Sequence, residues 1–248
     1  MKKLVTGFFM SWGMFCAIPC PCKLWDEEAR PLMLVCFPVL GLLLGGLWAL
    51  LAFVLSKFAL GLFAAALMAV LPFLLTGFIH LDGFMDCCDA ILSRRDLEER
   101  QRIMKDSHTG AFAVICVVIL MLVQTSAFSL FGFGGKILPL IFIPATTRAC
   151  AACAVMCLRP IGHSSYAGAF DKRVKPAHKI AAAVMLAFSV AAPIVLFGLN
   201  GLSAACAGVG YGLAVWYGYR QLGGMSGDIS GYALTIAEAV GAVALCLL

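Results

Sequence analysis

The sequence is short of charged residues. Only 12% of its 248 residues are Asp, Glu, Lys or Arg, whereas 62% are hydrophobic. A soluble domain is about half apolar and about a quarter charged, so this composition excludes an ordinary soluble protein. The hydrophobic runs are long and continuous, which excludes the short alternating segments of a membrane β-barrel. We therefore predict an all-α, polytopic integral membrane protein with one helical membrane domain over residues 1–248.

Several common functional motifs are also missing. The chain has no P-loop and no dinucleotide-binding fingerprint, and no feature that indicates nucleic-acid binding. Twelve cysteines are present, but no pair has a partner pair at zinc-site spacing, so we interpret them as structural thiols. The basic and then apolar N-terminus lacks a good signal-peptide cleavage site. It is predicted to be a retained first helix or a membrane-surface helix.

Stretches of about 20 apolar residues, the length that crosses a bilayer, predict about seven transmembrane helices. They are residues 31–55, 59–79, 111–131, 137–158, 180–199, 202–219 and 231–248. This order places four segments on one side: residues 20–30, 80–110, 159–179 and 220–230. Together with the N-terminus they hold every Lys and Arg except Lys57, Lys136 and Arg148. The positive-inside rule makes that side cytoplasmic.

An acidic motif begins where the second apolar run ends. It reads His80-Leu81-Asp82-Gly83-Phe84-Met85-Asp86-Cys87-Cys88-Asp89. If the chain is helical here, Asp82, Asp86 and Asp89 are at i, i+4 and i+7 and share one face. Like charges at this spacing destabilise a helix, and a hard cation such as Mg²⁺, bound by carboxylate oxygens, would compensate. The alternative is a solvated acidic helix start, which the helix dipole favours.

Two further motifs are predicted on the same side of the membrane. One is Met104-Lys105-Asp106-Ser107, and the other is Gly223-Gly224-Met225-Ser226-Gly227-Asp228. The glycines can turn the backbone so that its N–H groups face an anion, and Asp228 could complete a cation site. A turn that ends in a helix cap is the alternative. Residues 220–230 and 80–110 are thus the predicted catalytic loops.

The segment 94–104 is predicted to form a short amphipathic helix on the cytoplasmic membrane surface. Asp96 with Arg100, and Glu98 with Arg102, have the i, i+4 spacing of ion pairs. Substrate contact by Arg100 or Arg102 and a solvated connecting helix both remain open.

Two ionisable residues, Arg148 and Glu238, lie inside predicted spans. A charged side chain at such depth has a high free-energy cost and usually faces a partner or a cavity. The two residues are expected either to pair with each other or to line a polar cavity open to the cytoplasm.

Carboxylates, a divalent cation and basic groups are the components of phosphoryl transfer. A transporter would place its ionisable residues nearer the bilayer midplane, between broken helices. The predicted clustering at one membrane edge therefore favours an enzyme that acts on an amphiphilic or bulky phosphorylated substrate. A transporter, for example of a cation, and a purely structural scaffold are the alternatives from other classes.

The three motifs together resemble those of the cobalamin synthases, the adenosylcobinamide-GDP ribazoletransferases. The matching residues are His80-Leu81-Asp82-Gly83-x-x-Asp86-x-x-Asp89, Met104-Lys105-Asp106-Ser107-x-x-Gly110 and Gly223-Gly224-x-Ser226-Gly227-Asp228, and residues 37–45 resemble the family's first-span motif. The resemblance implies transfer of α-ribazole or its 5′-phosphate onto adenosylcobinamide-GDP with release of GMP, the last step in assembling the nucleotide loop of cobalamin. It also implies Mg²⁺ and a site on the cytoplasmic side of the bacterial inner membrane. Membrane lipid and a second copy of the chain are further expected partners.

The resemblance also implies residue roles. It assigns metal binding to Asp82, Asp86, Asp89 and Asp228, catalysis to His80, Lys105 and Asp106, and substrate binding to Ser107, Gly110, Arg148, Gly223, Gly224, Ser226, Gly227 and Glu238. In this assignment Lys105 neutralises the diphosphate, and His80 or Asp106 accepts the proton of the attacking hydroxyl. The sequence departs from the family at Cys16-Ala17, at His108, around Tyr166 and at Thr235. The carboxylate spacing also resembles the CDP-alcohol phosphotransferases, but their Ala-Arg step is absent.

Overall fold

The computed structural model describes residues 2–162 and 173–248, and these residues are almost entirely helical. The helices are α1 (Lys2–Phe15), α2 (Arg30–Leu55), α3 (Leu62–Leu75), α4 (Ile79–Leu92), α5 (Leu97–Ile103), α6 (Ala111–Ser129), α7 (Phe133–Lys136), α8 (Phe142–Cys157), α9 (Pro176–Phe197), α10 (Leu202–Leu222) and α11 (Gly227–Leu247). Within the described ranges the chain forms no β-strand, and all twelve cysteines are free thiols. The predicted all-α class is confirmed.

Five helical stretches of the described residues are long and apolar enough to cross a membrane. They are Glu27–Leu55, Ala111–Ser129, Phe133–Cys157, Pro176–Leu222 and Gly227–Leu247. Pro176–Leu222 contains two helices, α9 and α10, joined by a 3₁₀ turn at Gly198–Gly201. The polytopic membrane architecture is therefore confirmed. Six of the seven predicted spans lie in these five stretches, because Pro176–Leu222 contains two of them. The remaining predicted span corresponds to helices α3 and α4, which form one bent pair.

The predicted span 59–79 is not one straight helix, because the chain bends sharply near its end. Helix α3 ends at Leu75, and its 14 residues measure about 21 Å at 1.5 Å per residue, less than the hydrocarbon core of about 30 Å. The chain then bends by 94° into α4 through Gly77 (φ 59°) and Phe78 (φ 63°). An apolar run gives no sign of this bend. As a result, the acidic motif lies on a helix rather than in a loop.

Helix α1 packs across the first turns of α2. Gly7 lies so close to the backbone of Leu32 that a Cβ there would approach it to 2.8 Å, and Lys3 forms an ion pair with Glu28 at 2.7 Å. With 14 residues, α1 is too short to span a bilayer, which supports the membrane-surface alternative. Its last residue, Phe15, lies beside the start of α4.

Glycines bring α2 and α8 into backbone contact. Gly41 faces the backbone of Pro144 and Ala145, and Gly45 faces that of Ile141, with no room for a side chain at either glycine. Small residues four apart commonly let membrane helices approach in this way. The contact places Phe37 of α2 next to Arg148 of α8, with the guanidinium 5.5 Å from the ring centroid.

The four segments predicted to share one side of the membrane contact each other. Hydrogen bonds join Arg173 to Glu27 (2.9 Å), Gln101 to Leu222 (2.8 Å) and Met225 to Arg159 (2.8 Å). At the far end of α11, Lys136 donates to the carbonyl of Cys246 at 3.0 Å. The charged segments therefore gather at one end of the bundle, as the sequence predicts.

Candidate active site

The site forms where α4 crosses the first turns of α11. A Cβ on Gly83 would lie 2.8 Å from the Cα and carbonyl oxygen of Asp228, and one on Gly231 would lie 3.1 Å from the carbonyl oxygen of His80. Thr235 strengthens the crossing, because its hydroxyl donates to the same His80 carbonyl at 3.1 Å. Two glycines thus bring the first and third sequence motifs into direct contact.

This crossing gathers carboxylates from both helices. Asp86 lies close enough to Asp82, Asp89 and Asp228 for electrostatic repulsion between the carboxylates. None of the ion pairs formed by the described residues includes any of these four carboxylates. No Lys or Arg of the described residues therefore compensates their charges, which is the condition under which a cation is expected to bind.

The donor set fits Mg²⁺ better than a fully protein-coordinated metal. No three His, Cys, Asp or Glu side chains of the described part of the chain form a ready-made metal cage. Mg²⁺ does not need one, since it usually keeps several waters and uses one or two carboxylates together with substrate phosphates. Asp82 is exposed, and Asp86 and Asp228 are half-buried, so their oxygens are available for such binding.

Asp89 has a different environment from the other carboxylates. It is buried, and its carboxylate accepts hydrogen bonds from the Gly110 N–H at 2.7 Å and the Ala113 N–H at 2.9 Å. These donors belong to the first turn of α6, where unpaired N–H groups and the helix dipole favour an anion. Gly110 leaves space for the contact, because a Cβ there would lie 2.5 Å from the carboxylate. Asp89 and Gly110 thus join the first motif to the second.

His80 lines a cavity at the helix crossing. Its side chain is buried, and no described residue forms a hydrogen bond with its Nε2. The ring stacks against Phe15, with centroids 6.0 Å apart, and lies 6.2 Å from Phe37. The cavity has a volume of about 270 Å³, and its other walls include Asp82 and Asp228. The imidazole and two carboxylates therefore face one space.

The second motif follows α5 as an exposed turn. Lys105, Asp106 and Ser107 are all exposed, and Lys105 takes part in no ion pair of the described residues. The His108 ring lies 2.7 Å from the Asp106 carboxylate, and this hydrogen bond lowers the pKa of Asp106. A lower pKa makes Asp106 a weaker proton acceptor. Burial, and then the positive charge of Arg148, lowers the pKa of His80 to about 3, so His80 and Asp106 both stay candidates for the base.

The glycine-rich motif forms the turn between α10 and α11. Gly223 ends α10 with φ 78°, and Gly224 packs against the backbone of Ile161. The Ser226 hydroxyl caps α11 by accepting from the Ile229 N–H at 3.2 Å. The alternative interpretation of this motif, a turn that ends in a helix cap, is therefore observed. Gly227 lines the 270 Å³ cavity, and substrate binding by this turn stays a prediction.

The predicted ion pairs of the surface helix are wrong. Asp96 instead caps α5 by accepting from the Glu99 N–H at 2.9 Å, and Arg102 pairs with Glu99 at 2.6 Å. Arg100 donates to Gln221 at the end of α10. The sequence pattern could not reveal these partners, because the cap and the neighbouring helix compete with the i, i+4 pairs.

Arg148 and Glu238 form a buried ion pair between α8 and α11. Arg148 also donates to the Pro144 carbonyl at 3.2 Å, and the Thr147 hydroxyl lies 3.5 Å from the Glu238 carboxylate. The pairing alternative is thus observed. The Phe37 ring lies 5.5 Å from the Arg148 guanidinium and 6.2 Å from the His80 ring, so the pair supports a residue at one wall of the site. Substrate binding by Arg148 or Glu238 stays a prediction.

Several residues around the site were not identified from the sequence. Phe15 and Phe37 enclose His80, and Met14 lines the cavity, yet each looks like an ordinary apolar helix residue. The departure around Tyr166 lies outside the described residues.

The Gly83 contact predicts that a single methyl group will impair the site. In Gly83→Ala the added Cβ would collide with the Asp228 backbone, so α4 and α11 must separate and their carboxylates move apart. We expect the catalytic rate to fall about 10- to 100-fold, in the range found when residues that orient metal ligands are changed. The effect is measured by comparing the steady-state rates of the predicted phosphoryl transfer in Gly83→Ala and wild type.

Gly46→Ala is the matched control, because no atom lies within 4 Å of a Cβ at Gly46. It should retain wild-type rates. A fully active Gly83→Ala protein would show that the close approach of α4 and α11 is not needed for catalysis.

A family model and individual known proteins both match this chain over most of its length. Residues 7–246 match the family model described as cobalamin-5-phosphate synthase. Proteins named adenosylcobinamide-GDP ribazoletransferase are similar over the whole chain. The relative from Clostridium botulinum (strain Alaska E43 / Type E3) is 38% identical over 100% of this chain and 99% of its own length, and that from Clostridium perfringens (strain 13 / Type A) is 37% identical over 99% of each. No solved structure is significantly similar to the chain.

Proposed function

We propose that this chain, which belongs to the cobalamin-5-phosphate synthase family, is a transferase that joins α-ribazole or its 5′-phosphate to adenosylcobinamide-GDP and releases GMP. The observation that carries the proposal is the convergence of the three motifs. Gly83 contacts Asp228, and Asp89 binds the backbone of Gly110. The third motif, which is over 100 residues from the other two in sequence, thus meets them at one end of a membrane-helix bundle, beside a cavity.

The reaction requires one bond to form and one to break. A ribazole hydroxyl attacks the phosphorus on the cobinamide side of the diphosphate, and the bond from that phosphorus to the oxygen of the GMP group breaks. The attacking hydroxyl loses its proton to a base. We assign this role to His80 or Asp106. The His80 ring lines the cavity, and no described residue forms a hydrogen bond with its Nε2.

Charge neutralisation is the main requirement of such a transfer. Asp82, Asp86 and Asp228 would hold Mg²⁺, which when bound would offset the charge of the diphosphate. Lys105, an exposed cation without an ion-pair partner in the described residues, adds positive charge to the diphosphate's surroundings. Asp89 positions α6 through Gly110 and Ala113 and is assigned a supporting role.

The proposed location is the bacterial inner membrane, with the site on the cytoplasmic side. The support is the positive-inside rule together with the contacts among the charged segments at one end of the bundle. The surrounding lipid holds the helix bundle in place. Assembly into a homo-oligomer stays a prediction.

The direct test uses detergent-purified full-length protein with adenosylcobinamide-GDP, α-ribazole 5′-phosphate and Mg²⁺. We expect GMP and the joined corrinoid product in equal amounts. Release of CMP from a CDP-alcohol would instead support the CDP-alcohol phosphotransferase alternative. Corrinoid or cation uptake by sealed vesicles without GMP release would support a transporter, and would contradict the proposal.

A further inference from the structure

A second cavity, of about 490 Å³, lies next to the candidate active site. It opens between α1 and the segment 16–25, which we call the N-terminal pocket. Its walls are largely apolar side chains: Phe9, Met10, Met14, Ile18, Leu24 and Trp25. Met14 lines both this pocket and the cavity that holds His80. The two spaces are therefore neighbours that share a wall.

The walls of the N-terminal pocket are fixed by contacts along the segment 16–25. The Ala17 N–H donates to the Leu75 carbonyl at 2.8 Å, and the Trp12 indole donates to the Ile18 carbonyl at 2.9 Å. At the other end the Trp25 indole donates to Glu27 at 2.8 Å. A preformed pocket avoids much of the entropy cost of ordering a loop upon binding.

The size and surface of the pocket favour a flat, apolar aromatic ligand. Pockets of about 300–1,000 Å³ hold drug-sized molecules, usually with apolar and aromatic walls and a few polar groups. A benzimidazole nucleoside has this size. The other substrate, a corrin macrocycle joined to GDP, is far too large to enter.

The pocket also offers one positive charge. Lys23 is one of its lining residues, its side chain is exposed, and it belongs to none of the ion pairs of the described residues. A free ammonium group at the edge of an apolar pocket complements a ligand with an aromatic base and an anionic group. A nucleoside phosphate has both.

We infer that the N-terminal pocket binds α-ribazole 5′-phosphate, with the base against the apolar walls and the phosphate beside Lys23. The inference rests on the proposed function and adds to it the site of the nucleophilic substrate. Lys23 then sets the preference for the phosphorylated over the free nucleoside, because only the phosphorylated form has a charge for the ammonium group to bind.

The first test compares the two substrates in Lys23→Gln. We expect the KM for α-ribazole 5′-phosphate to rise about tenfold while the KM for α-ribazole and both kcat values stay unchanged, since the lost contact is to the phosphate alone. Lys57→Gln is the control, because Lys57 lies beyond α2 against the ring of Phe53, and it should change neither KM. An equal change for both substrates would contradict the role of Lys23.

A second variant tests the apolar part of the pocket. Gly13 lines it, and the nearest atom to a Cβ there is 4.0 Å away, so a Cβ is accommodated and the rest of the side chain in Gly13→Leu is expected to occupy the pocket. The KM for both forms of ribazole should rise at least tenfold, with the KM for adenosylcobinamide-GDP unchanged. Gly46→Leu, with open space around Gly46, is the matched control.

Binding can also be followed without turnover through the fluorescence of Trp25. Titration with α-ribazole 5′-phosphate should change the tryptophan emission of wild type, and the change should be largely absent in Trp25→Phe and weakened in Gly13→Leu. GMP release with no effect of Gly13→Leu on either KM would overturn the pocket assignment and leave the proposed function intact. Absence of GMP release together with a normal fluorescence titration would overturn the proposed function and leave the pocket assignment intact.

Discussion

Replacing Asp82 by asparagine is expected to reduce GMP release about a thousandfold, equivalent to about 4 kcal/mol of lost transition-state stabilisation. Asp82 is the exposed carboxylate of the crossing and lines the cavity with His80 and Asp228. Asparagine keeps the size of the side chain but removes its negative charge, so the cation site loses an anionic ligand. The rate of GMP release at saturating substrate and Mg²⁺ measures the effect.

Asp96→Asn is the matched control for this loss of charge. Asp96 caps α5 through the Glu99 N–H, and asparagine caps helices about as well as aspartate, so both activity and stability should be retained. Wild-type rates in Asp82→Asn would rule out the acidic motif as the cation site and would favour a structural role for it.

Breaking the Arg148–Glu238 pair is expected to cost the largest amount of stability. Arg148 is 1% exposed, and Arg148→Met leaves the Glu238 carboxylate buried without its cation. Removing one partner of a buried pair costs about 3–5 kcal/mol. Glu238→Leu should have a similar effect, because it leaves the guanidinium unpaired at a depth where charge is expensive.

The double variant Arg148→Met/Glu238→Leu separates charge from packing. Replacing both partners by apolar groups is often neutral, so the double variant should recover most of the stability lost in either single variant. The free energies of unfolding of all four proteins, measured in one mixed-micelle titration, give the coupling. Single variants as stable as wild type would mean that the pair contributes nothing to the fold.

Much of the fold follows from the sequence because the bilayer sets the length of an apolar helix. The charge distribution also predicts that residues 20–30, 80–110, 159–179 and 220–230 lie together, and hydrogen bonds join them. The 94° bend before α4 could not be predicted in this way. It depends on left-handed conformations at Gly77 and Phe78, and hydropathy contains no information about them.

The candidate site was predictable to the level of motifs but not of contacts. The spacing of Asp82, Asp86 and Asp89 predicts a shared helix face, and α4 is helical over all three. Tertiary packing decides that α4 crosses α11. It also decides that Asp89 binds the start of α6 at Gly110. Local sequence patterns do not determine which distant backbone N–H a carboxylate will reach.

The most direct test of the central claim is the dependence of GMP release on Mg²⁺ concentration, in wild type and in Asp228→Asn. Asp228 comes from α11 and Asp82 and Asp86 from α4, so a shared cation site predicts that both helices control the metal requirement. We expect no release in EDTA, and a half-saturating Mg²⁺ concentration at least tenfold higher in Asp228→Asn. Undiminished GMP release in EDTA, or an unchanged Mg²⁺ dependence in Asp228→Asn, would contradict the claim that carboxylates of α4 and α11 form one catalytic cation site.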